Sequence, residues 1–148
     1  MTPKRLPEIR VQNRQRKIAA NAVVLEEFAR RVLPLCAQEQ GNGLTNLDEI
    51  DVLLISDRKI SELHRRFMQI SGPTDVITFQ HGEIFISVET AQRQAKAFQT
   101  TMDDEIRLYL VHGLLHLQGF DDNQPKARRR IEAAQTRILR RLLPHLRR

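Results

Sequence analysis

From Ile106 to Leu117 the chain reads Ile-Arg-Leu-Tyr-Leu-Val-His-Gly-Leu-Leu-His-Leu, a helix-length stretch with almost no polar face. A helix that is apolar all round must be covered on every side, so the rest of the chain has to be built around this one. Thr101 three residues before Asp104 supplies a start of the capping-box kind. Gly119 supplies a stop, because glycine takes the left-handed turn that ends helices. On this buried helix Glu105, Tyr109, His112 and His116 fall near one another, and the two histidines, four residues apart, share one side.

Burying two imidazoles and a carboxylate with no partner costs several kcal/mol, and a bound cation removes that cost. The turn at Gly119 can bring Asp122 back towards His112 and His116, so these three residues are the candidate metal ligands. Three protein ligands leave one position open, the arrangement of a catalytic zinc site. The spacing H-x-x-x-H-x-x-G-x-x-Asp is that of metzincin-type zinc sites with two changes: Gly113 replaces the usual Glu and Asp122 the usual third His. In those peptidases the Glu deprotonates the attacking water. With no side chain at Gly113, the nucleophile has to be prepared by the metal, by another residue or by the substrate. RNA carries its own 2′-hydroxyl, and its phosphate oxygens suit a Lewis-acidic ion, so phosphodiester cleavage fits better than peptide cleavage.

Around the central helix the chain alternates strands and helices. Leu6 to Gln12 reads as a first strand, and Ile18 to Leu33 as an amphipathic helix that Pro34 disrupts near its end. Ile50 to Ser56 is a β-branched apolar run, a strand buried on both faces. Ser56 or Asp57 caps a helix carrying Ile60, Leu63, His64 and Phe67. Thr74 to Phe79 and Glu83 to Val88 are strands joined around His81-Gly82, followed by a helix from Thr90 to Phe98 and a last amphipathic helix from Pro125 to Leu146. These elements imply one α+β domain over residues 1–148, with about four strands in a mixed sheet and about five helices.

The 148 residues are enough to bury roughly two-thirds of the unfolded surface without staples. The single cysteine, Cys36, reads as a buried hydrophobe. With no apolar run near membrane-spanning length and no leader-like region in the first ten residues, the expected location is the cytoplasm, away from membranes. Net charge is +6, unevenly spread: residues 1–17 hold six Lys/Arg against Glu8, and residues 125–148 hold nine against Glu132. The middle is acidic, nine bases against sixteen acids. Basic termini around a more acidic body favour a polyanionic partner. Seven aromatic residues argue against a broad stacking platform for single strands.

The sequence resembles the YbeY family of bacterial endoribonucleases. The family pattern H-G-x-L-H-L-x-G-[YF]-D-H is met by His112, Gly113, Leu115, His116, Leu117, Gly119, Phe120 and Asp121. Its T-[DN]-V-L-S-F element is met by Thr74-Asp75-Val76-Ile77-Thr78-Phe79, and its G-D-I by Gly82-Glu83-Ile84. The resemblance implies a metal-dependent, single-strand-specific endoribonuclease of 16S rRNA 3′-end maturation and ribosome quality control, with ribosomal RNA and the small ribosomal subunit as partners. It implies one Zn(2+) per chain on His112, His116 and Asp122, with nickel, cobalt or manganese as other candidates. Asp75 becomes a substrate-facing candidate.

The chain departs from the pattern twice. Asp122 stands where the family has its third metal-binding His, and an anionic ligand weakens the acidification of bound water. In L-N-x-x-[YF]-R, read here as Leu63-His64-Arg65-Arg66-Phe67-Met68, Met68 replaces the family's arginine. Arg66, as a catalytic and substrate-binding residue, or Arg65, as a substrate-binding one, is the expected replacement. The alternative reading is a catalytically weakened RNA-binding assembly factor of the same fold. Oligomeric state is left open by the sequence.

Overall fold

A computed structural model describes residues 5–145; Leu146, read above as part of the last helix, lies outside the described residues. The elements in order are β1 (Glu8–Asn13), α1 (Ala22–Ala37), β2 (Glu49–Ile55), α2 (Asp57–Met68), β3 (Val76–Phe79), β4 (Glu83–Ser87), α3 (Val88–Phe98), α4 (Met102–Gln118) and α5 (Pro125–Leu142). The sheet runs β1-β2-β4-β3, with β1, β2 and β4 parallel and β3 antiparallel to β4. Parallel neighbours need long crossovers. Here α1 carries the chain from β1 to β2.

Alternation along the strands sorts the side chains into two layers. Val52 and Leu54 of β2, with Ile84 and Ile86 of β4, face the main core and meet Leu110, Leu114 and Leu115 of α4. Leu53 and Ile55 face the other way, with Ile60 of α2 and Ile77 of β3. The sheet therefore has α4 on one face and α2 on the other, and α1 and α5 join α4's side of the core. Cys36 is fully buried in that core, and burial pushes its thiol up to about 12.

Pro34 does not disrupt α1, which continues through it to Ala37. The ring removes one N–H, the donor to the Arg30 carbonyl, and so close to the C-terminus a single bond is at stake. The helix begins later than its periodicity suggested, at Ala22, because the Asn21 side chain accepts the Val24 N–H at 3.1 Å and fixes the start.

The C-terminal end of α4 is held by its last residue. Gln118 is 2% exposed; its amide nitrogen donates to the carbonyls of Ala37, Glu39 and Gly41 at 3.2, 2.8 and 2.9 Å. Its side-chain oxygen accepts the Leu44 N–H at 3.1 Å. One glutamine thus fastens the loop after α1 to the point where the candidate ligands leave the helix.

Candidate metal centre

Thr101 starts α4 by accepting the Asp104 N–H at 3.1 Å. Eleven residues later the helix presents His112, and one turn on His116; their rings meet edge-to-face with centroids 4.5 Å apart. Gly119 ends the helix at φ +132, a conformation that L side chains rarely adopt, and its N–H closes on the Leu115 and His116 carbonyls, both at 3.1 Å. The chain reverses, and Asp122 Oδ2 arrives 3.4 Å from Nε2 of each histidine. Among the described residues, these three form the group of His, Cys, Asp and Glu side chains able to share a metal ion.

The hydrogen bonds behind the rings decide what faces the centre. His112 Nδ1 contacts the Gln135 side-chain oxygen, and His116 Nδ1 contacts the Phe120 carbonyl at 3.0 Å. Both partners accept, so both Nδ1 atoms carry the proton and both Nε2 atoms are left with lone pairs. Those Nε2 atoms are 2.9 Å apart, with the Asp122 carboxylate beside them. Three acceptors converging with no donor among them suit a cation. Donors on a tetrahedral ion about 2.1 Å away lie ~3.4 Å apart; Asp122 Oδ2 stands at 3.4 Å from each Nε2, and the two Nε2 atoms, at 2.9 Å, are closer than that. Burial, and then the neighbouring His112, hold the His116 imidazole below its ordinary titration range, which favours the neutral, ligating form.

Gln135 was not singled out by the sequence. It sits on α5 among the inward residues Ile131, Ala134 and Ile138, and a polar residue on that apolar side was the available signal. Gln135→Leu keeps the volume and removes the acceptor, so metal affinity should fall about 10- to 100-fold, read by competition with a chromogenic chelator. Unchanged affinity would mean that the glutamine does not orient the ring.

Gly113 is buried between the ligands and faces the sheet. A Cβ there would lie 2.9 and 3.0 Å from the Ile84 side chain and 3.1 Å from Thr78 Oγ1. The position excludes a side chain for reasons of space as well as chemistry.

The other expected site residues are not among the three side chains that converge on the candidate centre. Asp75 sits at the start of β3, where its carboxylate accepts the Val76 N–H at 2.8 Å and the Thr74 hydroxyl at 3.3 Å. Arg65 and Arg66 are exposed at the end of α2, on the sheet face opposite α4, and Met68 is 40% exposed beside them. Tyr109 is core, its hydroxyl donating to the buried Glu105 at 3.3 Å.

The chain is similar to known proteins. The family model described as Endoribonuclease YbeY matches residues 10–143. An Endoribonuclease YbeY of Gluconobacter oxydans is 34% identical over 123 residues, covering 79% of this chain and 73% of the relative. One of Bacteroides fragilis is 36% identical over 100 residues, covering 63% and 72%. The solution structure of TM1509 from Thermotoga maritima superposes with a TM-score of 0.64 over 93% of this chain and 90% of that one, at 24% identity, a likeness of fold. With the match spanning nearly the whole chain and the two histidines, the glycine and the turn in place, the chain belongs to the Endoribonuclease YbeY family.

Proposed function

We propose that this chain is a metal-dependent endoribonuclease that cuts single-stranded RNA, acting in maturation of the 3′ end of 16S ribosomal RNA and in ribosome quality control on the small subunit. The observation that carries the metal dependence is the convergence of two imidazole lone pairs and a carboxylate, with each Nδ1 proton already committed elsewhere. A divalent ion there, zinc by the preference of imidazole, supplies Lewis acidity to a phosphate oxygen and acidity to a bound water. The protein's own part is to fix both imidazoles in the ligating tautomer and to bring in one negative charge through Asp122. Exposed arginines, among them Arg65 and Arg66 on α2 and Arg129 and Arg140 on α5, neutralise phosphates along the strand. Asp75 is the substrate-facing carboxylate of this reading.

The test pairs elemental analysis of gently purified protein with cleavage of single-stranded RNA before and after chelation. The expected result is about one metal per chain, loss of cleavage on chelation, and recovery on adding zinc, nickel, cobalt or manganese. Cleavage that persists without metal, or protein that never holds any, would refute the metal-dependent reading. The exposed thioether of Met68, where family resemblance assigns an arginine, favours the second reading, an assembly factor of weakened catalysis. Activity that appears only in the Asp122→His, Met68→Arg double variant would decide for it.

A further inference from the structure

The sequence holds six phenylalanines, and three of them meet on the α2 face of the sheet. Phe67 packs edge-on against Phe79 at 5.1 Å between centroids, and Phe79 packs edge-on against Phe85 at 5.8 Å. His81 stacks on Phe79, 5.9 Å away with ring planes 23° apart. Phe85 and Phe79 border the small core under α2, which accounts for them. Phe67 is not accounted for in this way: it is 51% exposed, and Met68 and Ile70 beside it are 40% and 50% exposed. The His81 side chain is 67% exposed and held by Glu83 through its Nε2 edge at 2.6 Å; one ring face lies on Phe79, and the edge contact leaves the other uncovered.

The chemistry around Phe67 is cationic, while Glu83 is the carboxylate beside His81. The Arg66 guanidinium lies over the Phe67 ring, 5.3 Å from its centroid, and Arg65 precedes it. Residues 63–73 contain these two arginines and no carboxylate. Aromatic faces beside guanidinium groups suit a ligand that is itself planar, aromatic and anionic, which describes a nucleotide of a single strand. An apolar protein helix would have no use for the arginines.

Position links the patch to the metal centre. Thr78 and Phe79 are consecutive on β3, and consecutive strand residues face opposite sides. Thr78 Oγ1 lies 3.1 Å from the Cβ position of Gly113, next to the ligand His112. Phe79 carries the aromatic group on the other side, and β3 is the edge strand of the sheet. The patch and the centre thus lie on opposite faces of the sheet, both at its β3 edge.

We propose that Phe67, Phe79 and His81, with Arg66 over the Phe67 ring, form a second site that stacks a base of single-stranded RNA while the same strand passes over the β3 edge to the metal centre. The site is compact, one or two bases wide, which reconciles it with the few aromatics in the chain. It rests on the endoribonuclease reading, and it adds where the strand is gripped away from the scissile bond.

The test measures binding of a short fluorescein-labelled single-stranded oligoribonucleotide to the full-length, metal-loaded protein and its Phe67→Leu variant, across a salt series. Phe67 is half exposed, so leucine should leave the urea midpoint where it was. Loss of one stacking surface should weaken binding about five- to a hundredfold. The slope of log affinity against log salt should not change, because no phosphate contact is lost, whereas Arg65→Ala should reduce it by about 0.7. A sugar-phosphate oligomer lacking bases should bind both proteins equally. Equal RNA affinity of wild type and Phe67→Leu, with RNA cleavage intact, would overturn the stacking site and leave the endoribonuclease reading standing. An equal loss with the abasic oligomer would also overturn it. Wild-type protein that binds no single-stranded RNA would overturn both.

Discussion

Gly113→Glu, which restores the residue that a zinc peptidase carries next to its first ligand, is expected to destabilise the fold and to yield no peptidase. The Cβ alone would stand 2.9 and 3.0 Å from two carbons of Ile84 and 3.1 Å from Thr78 Oγ1. Ile84 is fully buried in the sheet's central layer, so it has no free space into which to retreat. Overpacking of this kind costs about 1–3 kcal/mol, and the carboxylate beyond the Cβ would be buried facing apolar strands, which adds several more. A loss of about 5 kcal/mol is a large share of the stability of an ordinary domain. The urea midpoint of the variant should fall accordingly, and a denatured protein substrate should remain uncut by both proteins. A variant that folds as well as wild type and hydrolyses peptide would show that α4 stands off the sheet more than the structure has it.

His116→Ala should have its largest effect on activity. The variant leaves His112 and Asp122 as two donors, too few to hold an ion against water in competition. If the ion contributes several kcal/mol to the transition state, RNA cleavage should drop at least about a thousandfold. Thermal melts separate this from simple unfolding. An ion at a thousand times its dissociation constant stabilises the folded state by about 4 kcal/mol, so metal should raise the wild-type midpoint and leave that of the variant unmoved. Equal cleavage by both proteins would remove His116 from the site.

The sequence made α4 and its ligands legible because their determinants are local. Two histidines one turn apart, a cap at Thr101 and a stop at Gly119 all belong to one 17-residue helix and the residues that flank it, and the structure has the helix ending at Gln118. The strands were legible from alternation and, at Ile50 to Ser56, from a β-branched apolar run, with ends displaced by at most two residues. What escaped depends on packing between distant segments. Pro34 reads as a disruption because sequence position does not say how little of the helix remains beyond it. Gln135 acts on His112 across 23 residues of chain, and its role exists only once α5 lies along α4. Gly113 read as a missing base, whereas its contact with Ile84 and Thr78 shows a steric requirement that only the sheet can impose. The phenylalanines 67, 79 and 85, unremarkable singly, become a group when β3 and β4 pair under α2.

Asp122 stands in the short connection between α4 and α5, and α5 reaches back to the same histidine pair through Gln135. An ion bound to His112, His116 and Asp122 would therefore be a crosslink as well as a Lewis acid, tying the connection before Pro125 to the central helix. The helix so anchored carries Lys126, Arg128, Arg129, Arg130, Arg137, Arg140 and Arg141. The core contacts of Ile131, Ala134 and Ile138 seat this most basic helix by themselves, and an ion would add a second tie at its N-terminal side, next to the arginines.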